Sequence, residues 1–268
     1  MNRALRPVAA LIPVAFGCYL FQIHRNISTV NPSRVIEGDS APPSYRKFKA
    51  YTVVNPRGYA GTHDSRSIVI DFPRAKGAQS DEQILANLIE GFFGGWVLTP
   101  ERLVLQTLRR KLVSFSQLAD VEEAESIWTG QGLSRKCPPR IGSVLFGAFQ
   151  VIDIKTGEDD AGHDDNADPI PREKYVDFGF GSDRSSFSGF HRWSLRREDP
   201  ADDMDGHPET AISASRAQGP PTRLRITLTC FVCNPSRDKQ FEGGLLHTFH
   251  QMYARLLFRE AVSKALQS

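Results

Sequence analysis

The stretch YVDFGFGSDRSSFSGFHRWSL, residues 175–195, decides the fold, because it sets two segments of alternating aromatic residues and glycines around a polar turn. In its second half, strand alternation puts His191 and Trp193 on one face and Arg192 on the other. The first of these faces is predicted to be inward. In the first half, Gly179 and Gly181 alternate with the aromatic residues, and glycines at such positions allow a strand to bend. The stretch therefore predicts a curved hairpin that lines a ligand cavity, with 182–186 as its turn.

Two well-known site motifs are excluded from this stretch. A dinucleotide cradle needs a third glycine and a following helix, but position 184 is arginine and a strand is predicted after it. A nucleophile elbow needs Gly-x-Ser-x-Gly, which occurs nowhere in the chain.

Composition limits the class of partner. The 268 residues carry 33 Lys and Arg against 31 Asp and Glu, so the formal net charge of +2 gives no overall field for a polyanion. Phenylalanine (17) far outnumbers tyrosine (6) and tryptophan (3), which is compatible with a core that encloses apolar ligands. We expect no nucleic-acid partner, an apolar small molecule as the ligand, and no cofactor.

Residues 1–30 are predicted to be a signal or anchor segment. An apolar run, 8–23, follows two arginines and precedes the first acidic residue. A cleaved signal peptide and an uncleaved membrane anchor fit equally, although the run is shorter than the roughly 20 residues needed to span a bilayer. A mitochondrial presequence and an apolar helix packed on the domain are further alternatives. The segment predicts a membrane-associated or secretory-pathway protein, with the membrane as a partner.

Residues 31–66 are predicted to be a linker or covering arm, and 67–268 to be one domain. The first strand is predicted at 67–72. Ser80 and Gln83 form a capping box for a helix that ends near Gly94, and Pro100 opens a second helix. Candidate strands follow at 114–118, 125–128, 143–154, 175–180, 187–196 and 224–232. A long helix, 244–266, closes the chain.

This order of elements predicts an α+β fold in which a curved antiparallel sheet grips the final helix. It resembles the START-like, or helix-grip, superfamily. Four motifs resemble one START-like family of plants and bacteria more narrowly: FGFGS at 178–182, HRWSL at 191–195, CNP at 233–235 and ARLLFREAVSKAL at 254–266. The resemblance implies a cavity that binds apolar small molecules or lipids. Some members of the superfamily cyclise, dehydrate or aromatise polyketides, so a role in specialised-metabolite biosynthesis is also implied.

The candidate catalytic residues are His191, Glu260 and Tyr253. A helical wheel puts Glu260 near the middle of an apolar stripe on the final helix, where a carboxylate is costly unless it is paired or functional. With His191 it would supply acid and base groups, and Tyr253 would orient a ligand carbonyl. The alternatives are a Glu260 paired with a basic neighbour and a His191 satisfied in the core.

The predicted ligand-binding residues are apolar side chains from the hairpin and the final helix. They are Phe178, Phe180, Trp193, Phe249, Met252 and Leu256. One pocket is expected to be lined by His191, Trp193, Phe249, Tyr253, Leu256 and Glu260. The functions left open are ligand binding, acid–base catalysis in the cavity, and an interaction protein with a filled core.

No metal site is predicted. The pair Cys230 and Cys233 precedes His247 and His250 at a spacing typical of a zinc finger, but strand alternation sends the two cysteines to opposite faces. The acidic segment 158–168 lacks the ligand spacing of a calcium loop. It is predicted to be a solvated loop, as is the polar connection 196–218. The four cysteines are too scattered for a disulfide framework.

Overall fold

The computed structural model describes residues 5–39, 44–72, 79–121, 124–157, 173–198, 222–239 and 245–267. They form an α+β fold with a curved, mostly antiparallel sheet of eight strands and a C-terminal helix packed on it. The predicted acidic loop 158–168 lies outside the described residues, as does most of the connection 196–218.

Five helices and eight strands are described. The helices are α1 (Leu5–Ile27), α2 (Lys49–Val54), α3 (Asp81–Gly94), α4 (Thr99–Leu108) and α5 (Leu245–Gln267). The strands are β1 (Ile36–Gly38), β2 (Gly61–Phe72), β3 (Ser126–Ile127), β4 (Val144–Leu145), β5 (Phe149–Lys155), β6 (Lys174–Gly181), β7 (Ser188–Glu198) and β8 (Thr222–Cys233). Their order across the sheet is β1-β2-β8-β7-β6-β5-β4-β3, and only the short pair β3 and β4 is parallel.

Local sequence signals explain where several elements begin. The Ser80 hydroxyl accepts the Gln83 backbone N–H, and the Gln83 side chain accepts the Ser80 N–H, so the predicted capping box of α3 is confirmed. Proline lies in the first turn of α4, as predicted. The quoted stretch is confirmed as a hairpin, because β6 and β7 pair antiparallel around its polar turn.

Two expectations about the strands were wrong. Segment 114–118 is not a strand: Ser114 forms one isolated bridge, and a 3-10 helix follows at Ser116–Leu118. The first long strand begins at Gly61, so β2 crosses the boundary predicted at residue 67. The first half of β2 is polar, so it lacks the alternation of apolar and polar residues from which a strand is predicted.

The sheet is covered on both faces. The inner face packs against α3 and α5, and the outer face packs against α2. Trp193 and Leu195 lie in the inner cluster, whereas Phe190 lies in the outer one, so the predicted alternation along β7 is confirmed. The outer cluster was not predicted, because α2 falls in the segment interpreted as a linker.

The end of α1 contacts α5. The Asn26 amide donates to the Glu260 carboxylate at 3.1 Å, and the Arg259 guanidinium donates to the backbone carbonyls of Ile27 and Val30, both at 3.0 Å. Ile27 and Val30 are buried. Among the helices within the described ranges, none combines the length and apolarity needed to cross a membrane.

Candidate functional site

A cavity lies between the inner face of the sheet, the first half of α5, and α4. It consists of two adjoining hollows of about 740 Å³ and 550 Å³. Both are lined by Ala148, Phe149, His191, Cys230 and His250. Volumes of this size fall in the range that takes drug-sized ligands.

Strand register places a polar row across the floor of the cavity. His191 of β7 lies opposite Cys230 of β8, which in turn lies opposite Asp64 of β2. Directly paired residues project to the same face of a sheet, so all three side chains are on the inner face. In a neighbouring row, Leu228 of β8 is paired with Arg66 of β2.

Arg66 is a buried cation held by several acceptors. Its guanidinium donates to the Asp64 carboxylate at 2.8 Å, and Glu37 lies 3.6 Å from its Nε. It also donates to the backbone carbonyl of Gln251 at 3.3 Å and to that residue's side-chain oxygen. Because a buried charge is costly unless it is paired, this network fixes β2 against the first half of α5.

Burial sets the protonation of the other two members of the polar row. Desolvation lowers the pKa of His191 to about 4, so its imidazole is neutral at physiological pH. Among the described residues, His191 Nδ1 has no hydrogen-bond partner. Desolvation also raises the pKa of the Cys230 thiol well above its usual value. The floor of the cavity thus carries a neutral imidazole beside a neutral thiol.

The polar turn of the quoted stretch forms part of the cavity rim. Ser182 and Ser185 both line the larger hollow. Asp183 is buried, and its carboxylate accepts the Ser116 backbone N–H at 3.1 Å. Gly181 has φ +76°, a conformation that glycine adopts without strain. The segment is therefore a structural turn at the cavity rim, and its serine hydroxyls form hydrogen bonds within the turn.

The structure brings three predicted site residues to the cavity: His191, Phe180 and Tyr253. The Tyr253 hydroxyl donates to the Val97 carbonyl at 3.2 Å, and burial raises its pKa far above the ordinary tyrosine value. Its hydroxyl is therefore directed to the backbone, and its ring lines the cavity wall.

Other predicted ligand-binding residues lie elsewhere. Phe178 and Trp193 are fully buried in the inner core, where Trp193 stacks on Phe258 at a centroid distance of 5.7 Å. Phe249 and Met252 are 54% and 58% exposed. Leu256 is partly buried against the inner core and is not a lining residue. The expectation that six side chains share one pocket is wrong for Trp193, Phe249, Leu256 and Glu260.

Glu260 is 3% exposed but lies away from His191. Its two carboxylate oxygens accept the backbone N–H groups of Trp96 and Val97, both at 2.8 Å. Asn26 donates a third hydrogen bond. The carboxylate therefore binds the loop between α3 and α4 to α5. No basic side chain in the described part of the chain pairs with it, and it is not placed to act with His191.

Sequence reasoning missed the polar side chains of β2. Asp64 and Arg66 lie two residues apart, and Ile68 and Ile70 continue the same inward face. The signal was present: extending the alternation of 67–72 backwards would have placed both charges on the cavity side. His250 was considered only as a partner of the two cysteines.

Comparisons with protein-family models, with curated proteins and with solved structures found no match.

Proposed function

We propose that this protein binds an apolar small molecule or lipid in the cavity between the sheet and α5. The observation that carries the proposal is the cavity itself, which has apolar walls and a polar row on its floor. The order of elements supports membership of the START-like, helix-grip superfamily, in which a cavity in this position holds apolar ligands.

The lining indicates what kind of molecule fits. The larger hollow has an aromatic wall formed by Phe149, Phe180 and Phe187, and the smaller one is closed by apolar residues of α4 and α5. Hydrogen-bonding groups are concentrated on the floor, at His191, Asp64 and the neighbouring His250. A ligand with a hydrocarbon body and one hydroxyl or carbonyl end satisfies both parts of the lining.

Filling the cavity is expected to abolish binding while leaving the fold intact. Ala148 lines both hollows and is partly accessible, so an indole placed there by Ala148→Trp would occupy ligand space. We expect native mass spectrometry of the purified protein to show a co-purified ligand, and Ala148→Trp to reduce its occupancy at least about tenfold.

The matched control is Ala119→Trp, because Ala119 is exposed and does not line the cavity. Circular dichroism checks that both variants remain folded. Equal ligand occupancy in the two folded variants would show that the ligand binds outside this cavity.

A second candidate function is acid–base catalysis in the same cavity. It is favoured by His191, whose Nδ1 has no hydrogen-bond partner among the described residues and whose ring packs near Phe180 at 4.8 Å. Because burial lowers its pKa to about 4, the neutral imidazole can accept a proton only when the bound ligand offsets that desolvation. Glu260, which the sequence predicted as the second acid–base group, does not take part, because its oxygens accept backbone N–H groups.

The variant His191→Gln separates binding from catalysis. If the protein only binds, we expect a change of about 0.5–1.5 kcal/mol in ligand affinity, the range for one hydrogen bond. If it catalyses proton transfer, conversion of the co-purified compound should fall roughly a hundredfold or more while binding persists. Calorimetry measures the first quantity, and product analysis by mass spectrometry measures the second.

We also propose that residues 1–30 direct the protein to a membrane or to the secretory pathway, or alternatively to mitochondria. Support comes from the exposed apolar side chains of α1, which include Val14, Phe16, Leu20 and Phe21.

A further inference from the structure

Asp64, Cys230 and His250 meet at the floor of the cavity. They come from three elements, β2, β8 and α5, and each has one possible metal-ligating atom within 4.8 Å of the other two. The His250 Nε2 lies 3.9 Å from an Asp64 carboxylate oxygen. Asp64 and Cys230 are buried, whereas His250 is exposed.

We propose that these three residues bind one zinc ion or a cation of similar preference. Zinc takes nitrogen, sulfur and oxygen ligands, and a carboxylate, a thiolate and an imidazole supply one of each. Zinc–ligand bonds are about 2.0–2.3 Å, so the ligands of a tetrahedral ion lie roughly 3.3–3.7 Å apart. The His250 Nε2 and the Asp64 oxygen, 3.9 Å apart, are already close to that separation.

The surrounding contacts favour this arrangement. Arg66 holds the Asp64 carboxylate by a hydrogen bond of 2.8 Å, and such contacts orient metal ligands. A carboxylate and a thiolate together supply two negative charges to a divalent cation, and Glu37, 3.6 Å from Arg66 Nε, offsets the charge of the adjacent guanidinium. Binding would release the Cys230 proton, because only the thiolate is a ligand.

The three side chains leave a fourth position open. All three line the larger hollow of the cavity. Zinc sites with three protein ligands keep a position for water or for an oxygen of the bound molecule, unlike structural sites with four. The cation would therefore lie where the polar end of a ligand reaches the cavity floor. This inference goes beyond ligand binding, which does not require a metal.

Cobalt is the probe that tests the site, because its absorption reports a bound thiolate. Titrating Co²⁺ into the purified full chain is expected to give about one equivalent bound, with a thiolate-to-cobalt charge-transfer band in the near ultraviolet. Zn²⁺ should abolish the band by displacing cobalt. The Cys230→Ser variant should lose the band, and His250→Gln should weaken Co²⁺ affinity at least about tenfold.

The matched control is Cys233→Ser. Cys233 is buried three residues away, but it lies in the outer cluster and cannot reach the site. His250→Gln keeps the test decisive if Cys230→Ser fails to fold, because the His250 side chain is exposed. No charge-transfer band, or a band that survives Cys230→Ser or disappears in Cys233→Ser, would overturn the proposal. Ligand occupancy measured on metal-free protein distinguishes this failure from a failure of the cavity proposal.

Discussion

Replacing Arg192 by leucine is expected to lower the free energy of unfolding by about 3–5 kcal/mol, because it leaves a buried carboxylate without its cation. Arg192 Nε and Nη2 donate to the two oxygens of Asp177, both at 2.7 Å. The guanidinium also lies between two aromatic rings, 3.4 Å from the Phe48 centroid and 3.8 Å from that of Tyr175.

The two residues are direct neighbours on β7 and β6, on the outer face of the sheet. Burial raises the pKa of Asp177 to about 6, and the bond to Arg192 opposes that shift. Without the arginine, the carboxyl group must remain charged in an apolar cluster or take up a proton. Either outcome destabilises the folded state relative to the unfolded chain, in which the carboxylate is hydrated.

The same strand provides the control. Arg197 of β7 pairs with Asp81 at 2.6 Å, but its side chain is 45% exposed. Exposed ion pairs contribute about 0–1 kcal/mol, so Arg197→Leu should have only this small effect in urea denaturation. The double variant Arg192→Leu, Asp177→Leu should recover much of the loss. If Arg192→Leu were as mild as Arg197→Leu, the buried pair would not be a main support of the sheet.

The second large effect is expected for Glu260→Ala, which should lower the free energy of unfolding by about 3 kcal/mol or more. The substitution leaves the backbone N–H groups of Trp96 and Val97 without their acceptor, and each buried unsatisfied donor costs about 1–3 kcal/mol. The loop packs directly on this carboxylate: a Cβ at Gly95 would collide with the Glu260 side chain.

Denaturation curves for Glu260→Ala should be compared with those for Glu82→Ala. Glu82 is exposed on the first turn of α3, so its loss should cost less than about 1 kcal/mol. Ligand affinity of the folded fraction should be unchanged in Glu260→Ala, since the carboxylate lies outside the two cavity hollows. If Glu260→Ala had normal stability but no longer bound the ligand, Glu260 would be a ligand-binding residue and not a structural one.

Much of the sheet could be predicted from sequence because strand alternation is simple. A period of two residues put Trp193 inward and Arg192 on the opposite face, and both are found there. The capping box of α3 was readable because the side-chain pattern and the backbone contacts involve the same four residues. These features depend on neighbours in sequence.

The face of α5 could not be read in the same way. Hydrophobicity placed Phe249 and Met252 in the buried stripe, yet both are exposed. The face that packs against α3 carries small residues instead: a side chain at Gly91 of α3 would collide with Ala261 of α5. Two helices approach closely through small side chains, and a scale that rewards large apolar residues misses that contact.

The role of Glu260 was missed for a related reason. The helical wheel correctly detected a carboxylate that needed an explanation, but its three hydrogen-bond donors come from distant parts of the chain. The Trp96 and Val97 amides became available only because α3 ends at Gly94 and the chain turns beside α5. No pattern within α5 could show this.

The pairing of β2 with β8 has a consequence for synthesis on the ribosome. Residues 61–72 hydrogen-bond to 222–233, so the centre of the sheet cannot close until the 149 residues between these two strands have been synthesised. Contacts between such distant segments slow folding, because the intervening loop must be ordered first. The inner face also waits for α5, which follows β8 in the chain. Nascent chains therefore expose apolar strand surfaces until β8 and α5 have been synthesised, which makes them candidates for chaperone binding.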